Sequence, residues 1–191
     1  MNLSLYGVSF IVVIIEGVNV NLVPVNLSDA EWIAEVRSKP EVYRFLSQKS
    51  GITADEQRQW MLSKLSNSEF YWKIWSKGLG KFIGLISLYD ETDNWAHLGR
   101  FICFDSYAAI GAELTALKFA FERKQLGSVR CYVAKANKNV VSMHNRLGFS
   151  VIEELYDNTL SMEMLWLEMK REKFDGMDYS VVGGLLESKT Q

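Results

Sequence analysis

The chain has 191 residues, 48% of them hydrophobic, and a formal net charge of −2 from 21 basic and 23 acidic side chains. That is enough apolar material to bury a full core, which excludes a disordered chain and points to one domain. The near-neutral balance offers no general attraction for nucleic acid or an anionic membrane, so neither is expected as a partner and any phosphate site must be built locally.

From the N-terminus, Val8 to Ile15 is an apolar run broken only by Ser9, and the first 36 residues contain no Lys or Arg. The basic region of a signal peptide is therefore missing. The run is also far short of the roughly 20 residues that span a bilayer. Residues 1–17 are expected to be an apolar extension, either an extra strand paired across Glu16-Gly17 with the next run or a disordered leader.

Val18 to Val25 reads as a strand, after which Ser28 and Glu31 have capping-box spacing for a helix to about Arg37. Pro40 suits the first turn of a second short helix, and Thr53 with Glu56 repeats the capping-box spacing before a helix to about Ser66. From Glu69 the period becomes two, giving three strands, Phe70 onward, Lys81 to Tyr89 and Trp95 to Phe104, as an antiparallel meander. Ile110, Leu114, Leu117 and Phe121 then mark one helix face, and the helix feeds a strand from Ser128 to Lys135, an order that implies a parallel crossover. Asn137 to Phe149, NKNVVSMHNRLGF, reads as a helix closed by a Gly148 cap, with Val140, Met143 and Leu147 facing the core. Strands over Val151 to Leu155 and Thr159 to Met169 follow. The expectation is one mixed α/β domain over 18–170 with a polar tail over 171–191.

Cys103 and Cys131 lie in strand-like apolar runs without metal-ligand spacing, which points to buried thiols in a reducing, cytoplasmic compartment and to no metal site. His144 stands at the edge of the apolar stripe of its helix, as a packed histidine or a proton-transfer group. The small-residue stretch Asp105 to Ala112 precedes a helix, where backbone N–H groups can bind an anion without a lysine; tight packing is the alternative.

Together these residues resemble the GCN5-related N-acetyltransferase (GNAT) family, over roughly Val18 to Met169. The resemblance implies a mostly antiparallel central sheet with one splayed parallel strand pair and helices on both faces. It also implies transfer of an acetyl group from acetyl-CoA, as cosubstrate, to a small-molecule amine. The family's diphosphate loop, Arg/Gln-x-x-Gly-x-Gly/Ala, corresponds to Ser106-Tyr107-Ala108-Ala109-Ile110-Gly111, of which only the last glycine is kept. By resemblance, Ala108, Ala109, Ile110, Gly111 and Ala112 hold the diphosphate, Phe101, Ile102 and Cys103 pair with the pantetheine arm, and Asn137 and Val140 contact CoA. His144 stands where the family often places the tyrosine that reprotonates the CoA thiolate.

For the base that deprotonates the amine, His97 is the candidate beside Asp90, Glu91 and Asp93, with a half-buried strand histidine as the other reading. Lys135, Lys138 and Arg146 are candidates for the 3′-phosphate or are simply solvated. Trp72, Trp75 and Trp95, with Asp90, are candidates to line the acceptor pocket, although scattered tryptophans also fill cores. The pattern Gln59-Trp60, Tyr71-Trp72-Lys73-Ile74 and Phe119-Ala120-Phe121-Glu122 looks closest to the branch acting on nucleotide-linked 4-amino sugars, as in pseudaminic acid synthesis. The alternatives are a ribosomal-protein, N-terminal or other small-amine acetyltransferase, or a degenerate CoA-binding domain. The apolar N-terminal segment and the C-terminal strand could pair two copies as a homodimer.

Overall fold

The computed structural model describes residues 14–45, 50–65 and 69–179. One eight-stranded sheet runs through it in the order β1-β2-β3-β4-β5-β6-β8-β7. β1 (Ile15–Glu16) pairs antiparallel with β2 (Val20–Pro24), so the end of the N-terminal run is an edge strand, while residues 8–13 lie outside the described residues. β3 (Phe70–Ser76), β4 (Lys81–Tyr89) and β5 (Trp95–Cys103) form the expected antiparallel meander.

Helix α1 (Ala30–Arg37) is preceded by a 3-10 turn over Leu27–Asp29. The capping box there is Asn26 with Asp29, not Ser28 with Glu31: the Asn26 side chain accepts the Ser28 N–H at 2.9 Å and Asp29 accepts the Asn26 N–H at 2.8 Å. Asn at the cap position outcompetes a serine two residues later because the chain is still extended at Asn26. α2 (Pro40–Tyr43) carries its proline in the first turn, and α3 (Ala54–Leu65) opens on the Thr53–Glu56 box. α1 and α3 cover one face of β3 and β4 through Ile33, Val36, Met61, Tyr71 and Leu85.

The other face carries the main core under α4 (Ser106–Lys118), which continues as a π-helical turn over Phe119–Arg123. The expected single apolar face proves too narrow: residues Ala108, Ala109 and Gly111 to Leu117 are all buried, and the turn that joins β1 to β2 packs on α4 as well, Gly17 against Thr115 and Asn19 against Gly111. β6 (Ser128–Ala134), α5 (Lys138–Arg146), β7 (Ser150–Asp157) and β8 (Met162–Lys170) complete the sheet. The stretch expected as a polar tail opens with a helix, α6 (Arg171–Asp175), whose Phe174 is buried against Phe121. Tyr179 follows and donates to the Leu147 carbonyl at 3.1 Å, so residues 171–179 pack on the domain.

β5 and β6 are parallel and pair only at Trp95–Ser128, Ala96–Val129 and His97–Arg130. Beyond Arg130, β6 turns to β8, whose pairing runs on to Ala134–Met164. The two strands therefore splay into a V open toward Cys103 and Ala134. Its closed end is pinned: the Asn94 carbonyl accepts the Gly127 and Ser128 N–H groups at 2.7 and 3.1 Å, and Arg171 bonds the Gly127, Leu126 and Phe121 carbonyls.

Candidate active site

Four elements converge on the V. β5 brings Leu98 to Cys103 along one arm. A bulge lies between its Leu85–Ile102 and Ser87–Gly99 pairs, and Arg100 within it has φ 48°. The edge of β5 that would face β6 has no strand partner beyond His97 among the described residues. Unpaired N–H and C=O groups along a strand edge can bind an extended amide-bearing chain in β fashion, so the placing of Phe101, Ile102 and Cys103 suits that use.

The N-terminus of α4 lies at the open end, but its donors are not where the sequence pattern puts them. The helix begins at Ser106, capped by Asp105, whose Oδ1 accepts the Ala108 N–H at 2.8 Å, and the Ala109 N–H already bonds the Asp105 carbonyl at 2.9 Å. Ile110, Gly111 and Ala112 sit in the second turn, where backbone N–H groups are spent within the helix. The amides that stand at the helix end are those of Ser106 and Tyr107, ahead of the residues that the sequence pattern assigns to the diphosphate. Gly111 serves packing instead, because a Cβ there would stand 1.9 Å from Asn19 Oδ1.

Asn137 caps α5 in position without using its side chain for the cap, and Val140 is half-buried against the core. His144 is 3% exposed, and its Nδ1–H donates to Oε1 of Glu113, which is fully buried in α4. Cys131 Sγ completes a cluster whose nitrogen, sulfur and oxygen donors all lie within 4.8 Å of one another. Cys131 is the first residue of β6 past the last parallel pair, so this cluster stands at the apex of the V on the face covered by α4 and α5. Glu113 escaped the sequence reading, although a lone acid within the otherwise uncharged Ala108 to Leu117 was the available signal.

On the opposite face, His97 is ringed by Tyr89, Trp95 and Trp166 at 4.9 to 5.4 Å, and Tyr132 stacks beside Trp166 at 4.8 Å. The Arg130 guanidinium lies over Trp95 at 4.6 Å. His97 Nδ1 faces Asp90 Oδ2 at 3.5 Å, while its buried Nε2 has no partner. Burial lowers the His97 pKa against the raising pull of Asp90. The folded state thus disfavours the proton, so the stability carried by neutral His97 is complete above its unfolded pKa near 6.5 and is lost as pH falls below it. His97→Gln is expected to flatten that acid-side loss in denaturation midpoints measured from pH 7 to pH 5; a wild-type slope would show that His97 does not cause it.

Trp72 is corrected out of the acceptor set: it is 2% exposed and packed between Phe70 and Phe119 in the core. Lys135 is engaged by Glu154 at 2.8 Å and Glu163 at 3.7 Å, whereas Lys138 and Arg146 are exposed on α5. No helix among the described residues is long and apolar enough to cross a membrane.

The family model of the acetyltransferase (GNAT) domain matches residues 19–150. The chain belongs to the GNAT acetyltransferase family. It is an acetyl-CoA-dependent N-acetyltransferase by that membership. Solved GNAT structures share the fold at low identity. They include apo FdhC, a nucleotide-linked sugar GNAT (22% identity, TM-score 0.70, 85% of this chain and 93% of that one). The spermidine N-acetyltransferase of Vibrio cholerae, solved with CoA and spermine, aligns at 15% identity and TM-score 0.72 over 83% of this chain and 99% of that one. The ribosomal-protein-S5-alanine acetyltransferase of Vibrio fischeri aligns at 19% and 0.70, over 85% and 98%. Among curated proteins, none matches the chain in sequence.

Proposed function

We propose that the protein moves an acetyl group from acetyl-CoA to the primary amine of a nucleotide-linked amino sugar, by direct attack of the neutral amine on the thioester. The carrying observation is the arrangement of the V, with an unpaired β5 edge for the pantetheine arm, a buried imidazole at its apex and a half-open aromatic face behind it. In this reading Phe101 to Cys103 hold the pantetheine amides and the N-terminal end of α4, from Ser106, meets the diphosphate. Asn137 contacts the cofactor arm, and His144 supplies the proton taken up by the departing thiolate. Trp95, Tyr132 and Trp166 form a surface on which a sugar ring stacks, and Asp90 and Arg130 offer polar contacts at its rim. FdhC, a nucleotide-linked sugar GNAT of the same fold, supports this acceptor class. His97 is read as a wall of the acceptor pocket rather than the base, because its free nitrogen is enclosed by rings.

The second reading, a domain that binds CoA weakly and catalyses nothing, draws on Asp105, a carboxylate held at the helix end where the diphosphate would lie. Calorimetry with acetyl-CoA, followed by thiol release with a nucleotide-linked 4-amino sugar, a polyamine and an N-terminal peptide, separates the readings. Turnover confined to the sugar supports the proposal; binding with no turnover on any amine supports the second. Asp105→Asn keeps a good cap but removes the opposing charge at the positive helix end, worth about 1 kcal/mol, so acetyl-CoA is expected to bind about fivefold tighter by calorimetry. Unchanged or weaker binding would place the diphosphate elsewhere.

A further inference from the structure

We propose that Glu113 is the positioning residue of this enzyme's acid: it holds the His144 ring by Nδ1, so that Nε2 carries the proton delivered to the CoA sulfur. This rests on the reading of His144 as the acid. Two independent observations carry it. First, Glu113 and His144 meet beside Cys131, where β5 and β6 part, which is the apex of the cleft. Second, Glu113 is 0% exposed and its Oε2 has no hydrogen-bond partner. A core histidine could be satisfied by a carbonyl or a hydroxyl at far lower cost than a buried carboxylate with one oxygen unused. An acid cycling between imidazolium and imidazole does need a fixed negative partner, because the partner holds the ring in both states and stabilises the charged one.

Among the described residues, the titratable groups facing the ring are Glu113 from α4, Cys131 from β6 and, near Glu113, Tyr179 beyond α6, while the Phe149 ring packs on it at 4.9 Å. Burial and the Glu113 charge push the Cys131 thiol well above its usual range, and burial with the same charge pushes Tyr179 to about 12. Both are neutral at working pH, which leaves Glu113 as the charge that acts on the imidazole. In the reaction the amine nitrogen bonds the acetyl carbon and the C–S bond breaks with its electron pair on sulfur. The Nε2 proton passes to that sulfur, and the proton shed by the new amide nitrogen returns to Nε2 through solvent. Reactants and products balance without any other reagent.

The test is a double-mutant cycle of Glu113→Gln and His144→Gln, read as kcat and acetyl-CoA KM over pH. Glu113→Gln is expected to lower kcat about 10- to 100-fold at nearly unchanged KM. It should also change the pH profile of kcat, since the carboxylate is the ring partner of the acid. On the His144→Gln background it should cost no more than about twofold. An equal kcat loss on both backgrounds, or a wild-type pH profile in folded Glu113→Gln, would overturn the role of Glu113 alone. A His144→Gln enzyme with wild-type kcat would overturn the acid reading beneath it. Should Glu113→Gln fail to fold, Glu113→Asp, which keeps the charge but draws it back from the ring, is judged by the same criteria.

Discussion

His144→Gln is expected to lower kcat about 100-fold, the typical contribution of a placed proton donor, with acetyl-CoA affinity within about twofold of wild type. The side-chain amide of glutamine can still donate to Glu113, so the buried carboxylate keeps a partner while the transferable proton is lost. His144→Phe removes both. It leaves a buried charge unpaired at a cost of about 3 kcal/mol or more, or a Tm about 6 to 12 °C lower in a domain of this size. Comparing the two separates chemistry from folding: glutamine should retain the Tm and lose the rate, whereas phenylalanine loses both. A His144→Gln enzyme at wild-type turnover across the neutral range would make His144 a core residue.

Gly84→Ala is expected to destabilise the fold by about 3 kcal/mol or more and to weaken acetyl-CoA binding. Gly84 pairs with Ile74 on one side and Cys103 on the other, between a register shift in β3–β4 and the bulge in β5. A Cβ there would lie 2.0 Å from the Ile102 carbonyl oxygen and 2.9 Å from Cys103 Cα. These are backbone atoms of the strand that forms one wall of the cleft, so relief requires moving the wall rather than turning a side chain. Chemical denaturation and calorimetry on the same sample check both effects. A variant of normal stability and affinity would mean that β5 yields freely at this point.

Much of this architecture is readable from local pattern. The period-two run from Phe70 and the turn before Lys81 determine β3 and β4 because alternation and turn chemistry act over a few residues. The α5 cap at Gly148 is equally local, with φ 98° where only glycine is comfortable. What stayed hidden depends on contacts between distant segments. Trp72 looks like any strand tryptophan until Phe119, from the far end of α4, closes over it. Gly111 reads as a phosphate glycine until Asn19 arrives from the β1–β2 hairpin to fill its space. Glu113 and His144 are 31 positions apart, and neither spacing nor period announces that they bond. Asp105 shows the limit of motif matching from the other side: a helix that starts at Ser106, and not after the small-residue stretch, changes which amides stand at its end.

The pinning of the closed end of the V by Asn94 and Arg171 has a mechanical consequence. Compliance in the sheet is confined to the open arms of β5 and β6, because the apex is held by hydrogen bonds from three separate segments. A chain inserted between the arms meets the least resistance at the mouth near Cys103 and Ala134, so the V is expected to widen from that end, with the pinned end as its hinge.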